Sequence, residues 1–193
     1  MTALSSNSAF ASQAAFRAIM EAFARPGDIR RISAEAAPAP LAPATAALVQ
    51  SLADYDTPVW LDPALAATPD IADWIRFRTG APIASEAGHA AFALIGDAAA
   101  LPDFALFAQG SDEYPDRSTT LIVQVARFSG PAFTLEGPGI KTMRQIAAEP
   151  LPADFPERCA LNRELFPRGV DVVLVAGDQA AALPRSIRVS RGP

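Results

Sequence analysis

Apolar positions along the chain alternate between the spacing of helices and that of strands. Four large apolar residues share one face of a predicted first helix: Phe16, Ile19, Met20 and Phe23. The turn at residues 25–27 contains a proline and a glycine, and it predicts the end of this helix. A short strand is predicted directly afterwards, at residues 29–32.

Two further helices are predicted from apolar spacing and from start signals. The first covers residues 44–52. The second begins with Thr68 as its cap and Pro69 in its first turn, and it ends at Gly80. The apolar residues of this helix that we expect to be buried are Ile71, Trp74 and Ile75.

The remaining elements are short and are separated by turn residues. We predict strands at residues 58–61, 90–95, 119–126 and 133–135, and helices at residues 101–108 and 154–165. Asp154 is the expected cap of the last helix, which has Pro156 in its first turn.

An almost continuous apolar run at residues 170–176 is typical of a strand that is buried on both faces. It predicts helices on both sides of the sheet. A turn at 177–178 leads into an apolar segment at 180–183, and Ile187 with Val189 predicts an edge strand. We therefore expect an α/β fold in which helical layers cover a mixed sheet, formed by one domain over residues 1–193.

Composition narrows the range of functions. The chain has 193 residues, of which half are hydrophobic, and this is enough to bury one substantial core. A formal charge of -5 argues against a nucleic-acid partner, because neutralising phosphates requires an excess of Lys and Arg. No apolar run approaches a membrane span, and no secretory signal is readable at the start. The single cysteine excludes an intrachain disulfide, so we expect a cytoplasmic protein.

The polar stretch that precedes the predicted strand at 119–126 is the richest in reactive groups. It contains Asp112, Glu113 and Asp116, and then Arg117, Ser118, Thr119 and Thr120. One cation and three hydroxyls within a few residues suit a phosphate or a carboxylate. Two interpretations stay open: a solvated loop, and a loop that binds a ligand or a partner. The candidate residues are Asp116, Arg117, Ser118 and Thr119.

Other reactive side chains are scarce, since the chain has one His, one Cys and one Lys. We interpret His89 as a partly exposed turn residue and Cys159 as a small core residue. Lys141 follows a glycine-proline-glycine turn and could contact a phosphate or form an imine. Asp54 and Asp56 could act as acid and base, although capping of turns is their more common role. We expect no metal site, because His and Cys ligands are too few.

The chain resembles the H subunit of the carbon-phosphorus lyase system for phosphonate utilisation. The resemblance extends from the first helix almost to the C-terminus. It is carried by six stretches in order: residues 16–20 with 25–27, 52–61, 120–125, 135–140, 166–171 and 182–185.

This resemblance implies a subunit that acts with sister subunits G, I and J, and with ATP-binding partners. Their early step joins a phosphonate to the ribose of ATP and releases adenine. The resemblance also implies a three-layer fold similar to the large domain of pyridoxal-phosphate transferases, with the cofactor lost, and a homodimer. The inventory of residues is consistent with a lost site, because Lys141 is the only lysine that could bind pyridoxal phosphate.

Three functional hypotheses follow. In the first, the protein is an accessory subunit without a complete catalytic site, and its loops are structural or contact partners. In the second, it contributes a nucleotide or phosphonate contact through Arg117, Ser118 and Thr119. The third is a free-standing small transferase.

Overall fold

The computed structural model describes residues 2–32 and 37–192, with side chains from residue 10 onward. The helices are α1 (Thr2–Ala24), α2 (Pro43–Leu52), α3 (Pro63–Ala66), α4 (Pro69–Thr79) and α5 (Phe155–Glu164). The strands are β1 (Arg30–Arg31), β2 (Val59–Leu61), β3 (Phe92–Ile95), β4 (Thr120–Gln124), β5 (Arg127–Glu136), β6 (Arg144–Glu149), β7 (Asp171–Ala176), β8 (Gln179–Leu183) and β9 (Arg188–Arg191). Short 3₁₀ helices lie at Ala87–His89, Ala98–Ala100 and Phe104–Leu106.

The central sheet is mixed, as predicted. Its six strands follow the order β1-β8-β7-β4-β3-β2. The neighbouring pairs β2-β3, β3-β4 and β4-β7 are all parallel. Strand β8 pairs with β7 in the antiparallel sense through the tight turn at residues 177–178, and β1 is antiparallel to β8.

A second sheet is formed by three antiparallel strands in the order β6-β5-β9. Only residues 125–126 separate β4 from β5, so the chain passes directly from the central sheet into the second one. The apolar side chains of Phe133 and Leu135 on β5 pack into the core beneath the central sheet. Strand β6 was not predicted, because its sequence, Arg-Gln-Ile-Ala-Ala-Glu, has too few large apolar residues.

The two faces of the central sheet are covered differently. Helices α1 to α4 pack on one face, in a core that includes Leu48, Ile71 and Ile75. The other face packs against the second sheet and α5, in a core that includes Phe155. The prediction of helices on both faces is therefore correct for the first face and only partly correct for the second.

The inward face of α1 differs from the prediction. Ile19 is buried, whereas Phe16 and Met20 are 47% and 45% exposed. The residues that pack beside Ile19 are Ala15 and Ala22, since small side chains let the helix approach α2 and β8 closely. No helix in the described ranges 2–32 and 37–192 is long and apolar enough to cross a membrane.

The bounds of α2, α4 and α5 agree with those predicted from the sequence. Two other predictions about the helices are wrong. The helix predicted at 101–108 is reduced to a single 3₁₀ turn, whose start is capped by Asp103 accepting from Ala105 N at 2.8 Å. The predicted caps Thr68 and Asp154 make no side-chain capping hydrogen bond. Proline in the first turn already removes one of the free amides at these helix starts.

Strands β2 and β3 lead to opposite faces of the central sheet. After β2 the chain crosses the helical face through α3 and α4, and Ile83 then bridges to the free edge of Val59 in parallel. After β3 the chain crosses the other face, where Phe104 and Phe107 are buried. The carboxyl ends of β2 and β3 thus form the kind of switch point at which α/β sheets commonly bind ligands.

Candidate functional site

The candidate loop lies at the amino edge of the parallel strands. It precedes β4, whose first residue Thr120 pairs with Phe92 of β3 and with Asp171 of β7. Ligands in open α/β sheets usually bind beyond the carboxyl ends. The loop predicted from its polar residues is therefore at the opposite edge from the switch point.

The loop from Gly110 to Ser118, called the 110–118 loop below, is closed on itself. Gln109 and Ser118 form an antiparallel bridge at its base. Gly110 has φ +69, and a Cβ at this position would lie 2.8 Å from the carbonyl oxygen of Pro115. Any other residue would have a strained backbone here, and its Cβ would clash with the Pro115 carbonyl oxygen. The tight turn at the base of the loop therefore requires glycine.

Arg185 fastens the 110–118 loop to the end of the central sheet. Its Nη2 donates to Ser118 Oγ and to Asp171 Oδ2, both at 2.5 Å, and its Nη1 donates to the carbonyl oxygen of Pro115 at 2.9 Å. The backbone amide of Arg185 also donates to Asp171 Oδ1 at 2.9 Å. The side chain of Arg185 is only 12% exposed. This planar, bidentate arrangement is one that arginine makes and lysine cannot.

Arg185 and Asp171 were not predicted from the sequence as parts of this network. Both lie in stretches that carry the family resemblance, at residues 182–185 and 166–171. That resemblance was the signal in the sequence that could have pointed to these two residues. The pairing itself could not be read from the sequence, because it depends on the turn that brings β8 back along β7.

Two of the four candidate residues use their hydroxyls inside the protein. Thr119 is fully buried, and its Oγ1 donates to Ala90 O at 2.6 Å and accepts from Ala108 N at 3.2 Å. Ser118 is buried and bonded to Arg185. These hydroxyls hold the amino ends of the strands together. Their internal bonds leave little capacity for a ligand.

Asp116 and Arg117 remain exposed. The guanidinium carbon of Arg117 lies 4.2 Å from the centre of the Tyr114 ring, a cation–π contact. A shallow groove of about 290 Å³, the amino-edge groove, brings Asp116, Arg117 and Ser118 together with His89. His89 lies in a 3₁₀ turn, with its Nδ1 3.7 Å from Glu86 Oε2. The prediction of a turn residue is confirmed, although the side chain is more exposed than expected. The proximity of His89 to the loop was not predicted from the sequence.

A buried carboxylate occupies the switch point. Asp62, directly after β2, is 3% exposed. Its Oδ2 accepts from the amides of Gly96 and Asp97 at 2.8 and 2.9 Å, and its Oδ1 accepts from Leu65 N at 2.9 Å. Converging backbone amides of this kind often bind an anion from solution. Here the protein supplies the anion itself.

The other candidate residues have structural surroundings. Cys159 is buried, and burial raises the pKa of its thiol to about 12, which confirms the interpretation as a core residue. Asp54 accepts from Asp56 N at 3.0 Å within its own turn. Lys141 is exposed after the predicted turn at 137–139. In the described part of the chain, no group of three or more His, Cys, Asp or Glu residues could hold a metal ion.

Comparison with known proteins identifies the family. The family model for "Bacterial phosphonate metabolism protein (PhnH)" matches residues 5–190. The chain belongs to the PhnH family. A Rhizobium meliloti (strain 1021) protein named alpha-D-ribose 1-methylphosphonate 5-triphosphate synthase subunit PhnH is 46% identical over 184 residues, which cover 94% of this chain and 92% of that protein.

A second relative is a Stutzerimonas stutzeri protein named putative C-P lyase subunit protein HtxG. It is 36% identical over 83 residues, which cover 42% of this chain and 42% of that protein. The resemblance to the carbon-phosphorus lyase H subunit is thus confirmed at the level of the family.

Three of the stretches that carried the resemblance meet in one place in this PhnH-family chain. They are residues 25–27, 135–140 and 182–185. Gly27 N donates to Ala182 O at 3.3 Å, which joins the end of α1 to β8. Gly139 has φ +81, and a Cβ there would lie 2.4 Å from Ala24 O. These glycines are needed for close backbone approach between α1 and the loop that connects β5 and β6. They therefore have a structural role.

Proposed function

We propose that the protein is the H subunit of a bacterial carbon-phosphorus lyase core complex. It supports the transfer of a phosphonate to the ribose of ATP, with release of adenine and formation of a ribose 1-phosphonate 5-triphosphate. The observation that carries this proposal is the 46% identity, over 94% of the chain, with a protein named as a subunit of a synthase of such a product.

The geometry favours an accessory role over a complete catalytic site on this chain. Ser118 and Thr119 direct their hydroxyls to protein groups, and Asp62 fills the amide cradle at the switch point. Groups committed to internal hydrogen bonds are poorly suited to bind a substrate. We propose that catalysis requires sister subunits G, I and J, and that the protein acts in the cytoplasm as one domain that forms a homodimer when alone.

We further propose that the fold descends from the large domain of pyridoxal-phosphate transferases and no longer binds the cofactor. Lys141 is exposed on the turn after β5, and the amide cradle at Gly96 and Asp97 is already filled by Asp62. The test is incubation with pyridoxal phosphate followed by absorbance spectroscopy. An imine band that disappears in Lys141→Ala would overturn the proposal, and the expected result is no such band.

A second candidate function is direct contact with a nucleotide or phosphonate through the amino-edge groove. Arg117 and His89 both line this groove, and Arg117 is exposed. Arginine binds phosphate and phosphonate oxygens through two parallel hydrogen bonds. Since Ser118 and Thr119 are committed elsewhere, this function depends on Arg117.

Co-expression of Arg117→Ala with subunits G, I and J separates the two functions. Co-elution on size exclusion reports assembly, and adenine release reports turnover. Arg188→Ala is the matched control, because Arg188 is 63% exposed and lies 3.8 Å from Glu136, far along the chain from the loop.

For the accessory role we expect Arg117→Ala to retain both assembly and turnover, or to lose both together. Retained assembly with lost adenine release would instead establish a ligand contact. A complex that forms and turns over fully without this chain would contradict the proposed function altogether.

A further inference from the structure

A cavity of about 340 Å³ opens beside the switch point, between the start of α3 and the turns around β3. We call it the switch-point cavity. Trp60 of β2 lines it together with Ala64, Ala100 and Leu106, and Asp62 and Asp97 are the acidic residues of the lining. This volume falls within the roughly 300–1,000 Å³ typical of small-ligand sites.

Short segments of chain line the cavity around Trp60 of β2. They are the 3₁₀ turns that contain Ala87, Ala100 and Leu106, together with Pro63 and Ala64 at the start of α3. Phe107 packs edge-on against Trp60, with ring centres 5.7 Å apart. The aromatic wall is therefore fixed in position by the core beneath it.

The charge of the cavity has one sign. Among the described residues, its lining includes two acidic residues, Asp62 and Asp97, and no basic one. Asp97 accepts from Ala99 N through Oδ1 at 3.1 Å, and among the described residues its Oδ2 has no hydrogen-bond donor. Asp62 receives three backbone amides, whereas an ionised carboxylate offers roughly four acceptor positions.

The carboxylates at the two edges of the central sheet differ in their partners. Asp171 is paired with the guanidinium of Arg185. Asp62 is more deeply buried and is bonded to backbone amides, and neither it nor Asp97 has an ion-pair partner in the described chain. A cation in this cavity would lie near two acidic residues that have no cationic partner within the described ranges, and the indole of Trp60 among the lining residues is a group to which cations are attracted.

We propose that the switch-point cavity binds an organic cation, either an alkyl guanidinium or an alkyl ammonium. The alkyl part packs on Trp60 and Leu106, and the N–H groups donate to Asp97 and to the free acceptor position of Asp62. The same chemistry is offered by a free small molecule and by an Arg or Lys side chain of a partner subunit. The proposal does not depend on the proposed function, because it is argued from the lining of the switch-point cavity alone.

The test uses Trp60 as its reporter. Trp74→Phe leaves Trp60 as the one indole of the chain, and its fluorescence is titrated with butylguanidinium and with the neutral isostere butylurea. We expect a saturable change with butylguanidinium and about tenfold weaker binding of butylurea. If Trp74→Phe does not fold, the indole N–H resonances of the wild-type protein serve the same purpose.

Two alanines of one 3₁₀ turn supply matched variants. Ala100 and Ala99 are both exposed, but only Ala100 lines the cavity. Ala100→Leu fills the cavity, so we expect it to weaken butylguanidinium binding about tenfold, whereas Ala99→Leu leaves it unchanged. Equal affinity for butylguanidinium and butylurea would overturn the proposal, as would binding that Ala100→Leu does not weaken.

Co-expression of the same variants with subunits G, I and J then identifies the source of the cation. Loss of co-elution in Ala100→Leu but not in Ala99→Leu indicates a cationic side chain of a partner. Retained co-elution, together with weakened butylguanidinium binding, indicates a free small molecule. Both results support an organic-cation site, and both are distinct from the Arg117→Ala outcomes that test the proposed function.

Discussion

Arg185 and Ser118 are separated by 67 positions in the sequence, yet the guanidinium Nη2 of Arg185 lies 2.5 Å from Ser118 Oγ. The same guanidinium binds Asp171 at the start of β7. The position of the 110–118 loop is therefore determined by the end of the central sheet as much as by the loop's own turns.

Removing this guanidinium is expected to release the loop. Arg185→Met keeps the alkyl stem but leaves Asp171 without its cation and Ser118 without its donor. We expect the free energy of unfolding, measured with urea, to fall by about 2–4 kcal/mol, because one partner of a largely buried pair is removed. Hydrogen exchange of the amides in the 110–118 loop should become faster.

Arg188→Met is the control for this prediction. Arg188 is exposed and its ion pair with Glu136 is long, at 3.8 Å, so its loss should cost less than about 1 kcal/mol. Equal losses in the two variants, or unchanged exchange in the loop of Arg185→Met, would show that Arg185 does not fasten the loop.

Asp62 is expected to be one of the more sensitive positions of the fold. Asp62→Ala leaves three backbone amides without their acceptor, and we expect a loss of about 2–4 kcal/mol in the free energy of unfolding. Asp62→Asn keeps one oxygen and should lose less. Asp103→Ala is the comparison, since Asp103 is exposed and accepts from one amide, so about 1 kcal/mol is expected. A loss in Asp62→Ala no larger than this would contradict the assigned role.

The Cys159 thiol predicts a dependence of stability on alkaline pH. Burial raises its pKa from 9.0 to about 12. Above pH 9 the unfolded chain releases the thiol proton while the folded chain keeps it, so the free energy of unfolding falls with rising pH until about pH 12. Between pH 8 and pH 10 this group alone should cost about 1.4 kcal/mol.

Comparison with Cys159→Ala isolates that contribution, because all other titrating groups are shared. The difference in free energy of unfolding between the wild type and Cys159→Ala should shift by about 1.4 kcal/mol between the two pH values, with the wild type losing more. A constant difference would mean that the thiol titrates normally in the folded protein.

Two glycines with positive φ provide a test of close backbone approach. Gly139→Ala places a Cβ 2.4 Å from Ala24 O, whereas Gly177→Ala places one in open space, with φ +58. We expect Gly177→Ala to cost about 1 kcal/mol from backbone strain alone, and Gly139→Ala to cost at least about 3 kcal/mol. Thermal unfolding of both variants measures the difference, and similar melting temperatures would contradict the close approach of α1 to this turn.

Much of the fold follows from local signals. Proline-initiated helices such as α2 and α4, and the apolar run of β7, were predicted from the sequence because their signals lie within the elements themselves. The buried face of α1 was predicted incorrectly. Large apolar residues were assumed to face inward, but close packing against α2 selected Ala15 and Ala22 and left Phe16 outside.

The candidate site was predictable only in part. The polar loop and its exposed residues were found from composition, whereas Arg185, Asp62 and the groove with His89 depend on which strands become neighbours. Such long-range pairings leave no periodic signal in the sequence. The hydroxyls of Ser118 and Thr119 were assigned to a possible ligand, because a sequence does not show that they are used internally.

The bridge between Ile83 and Val59 limits the access of other chains to one border of the central sheet. Val59 N donates to Pro82 O at 2.8 Å and Ala84 N donates to Val59 O at 2.9 Å, so this border of the sheet is already partly occupied. The opposite border, β1, is described over two residues, Arg30–Arg31, both charged. Short, charged or covered borders resist edge-to-edge aggregation. Neighbouring chains are therefore expected to associate through side chains on the faces, without extending the sheet.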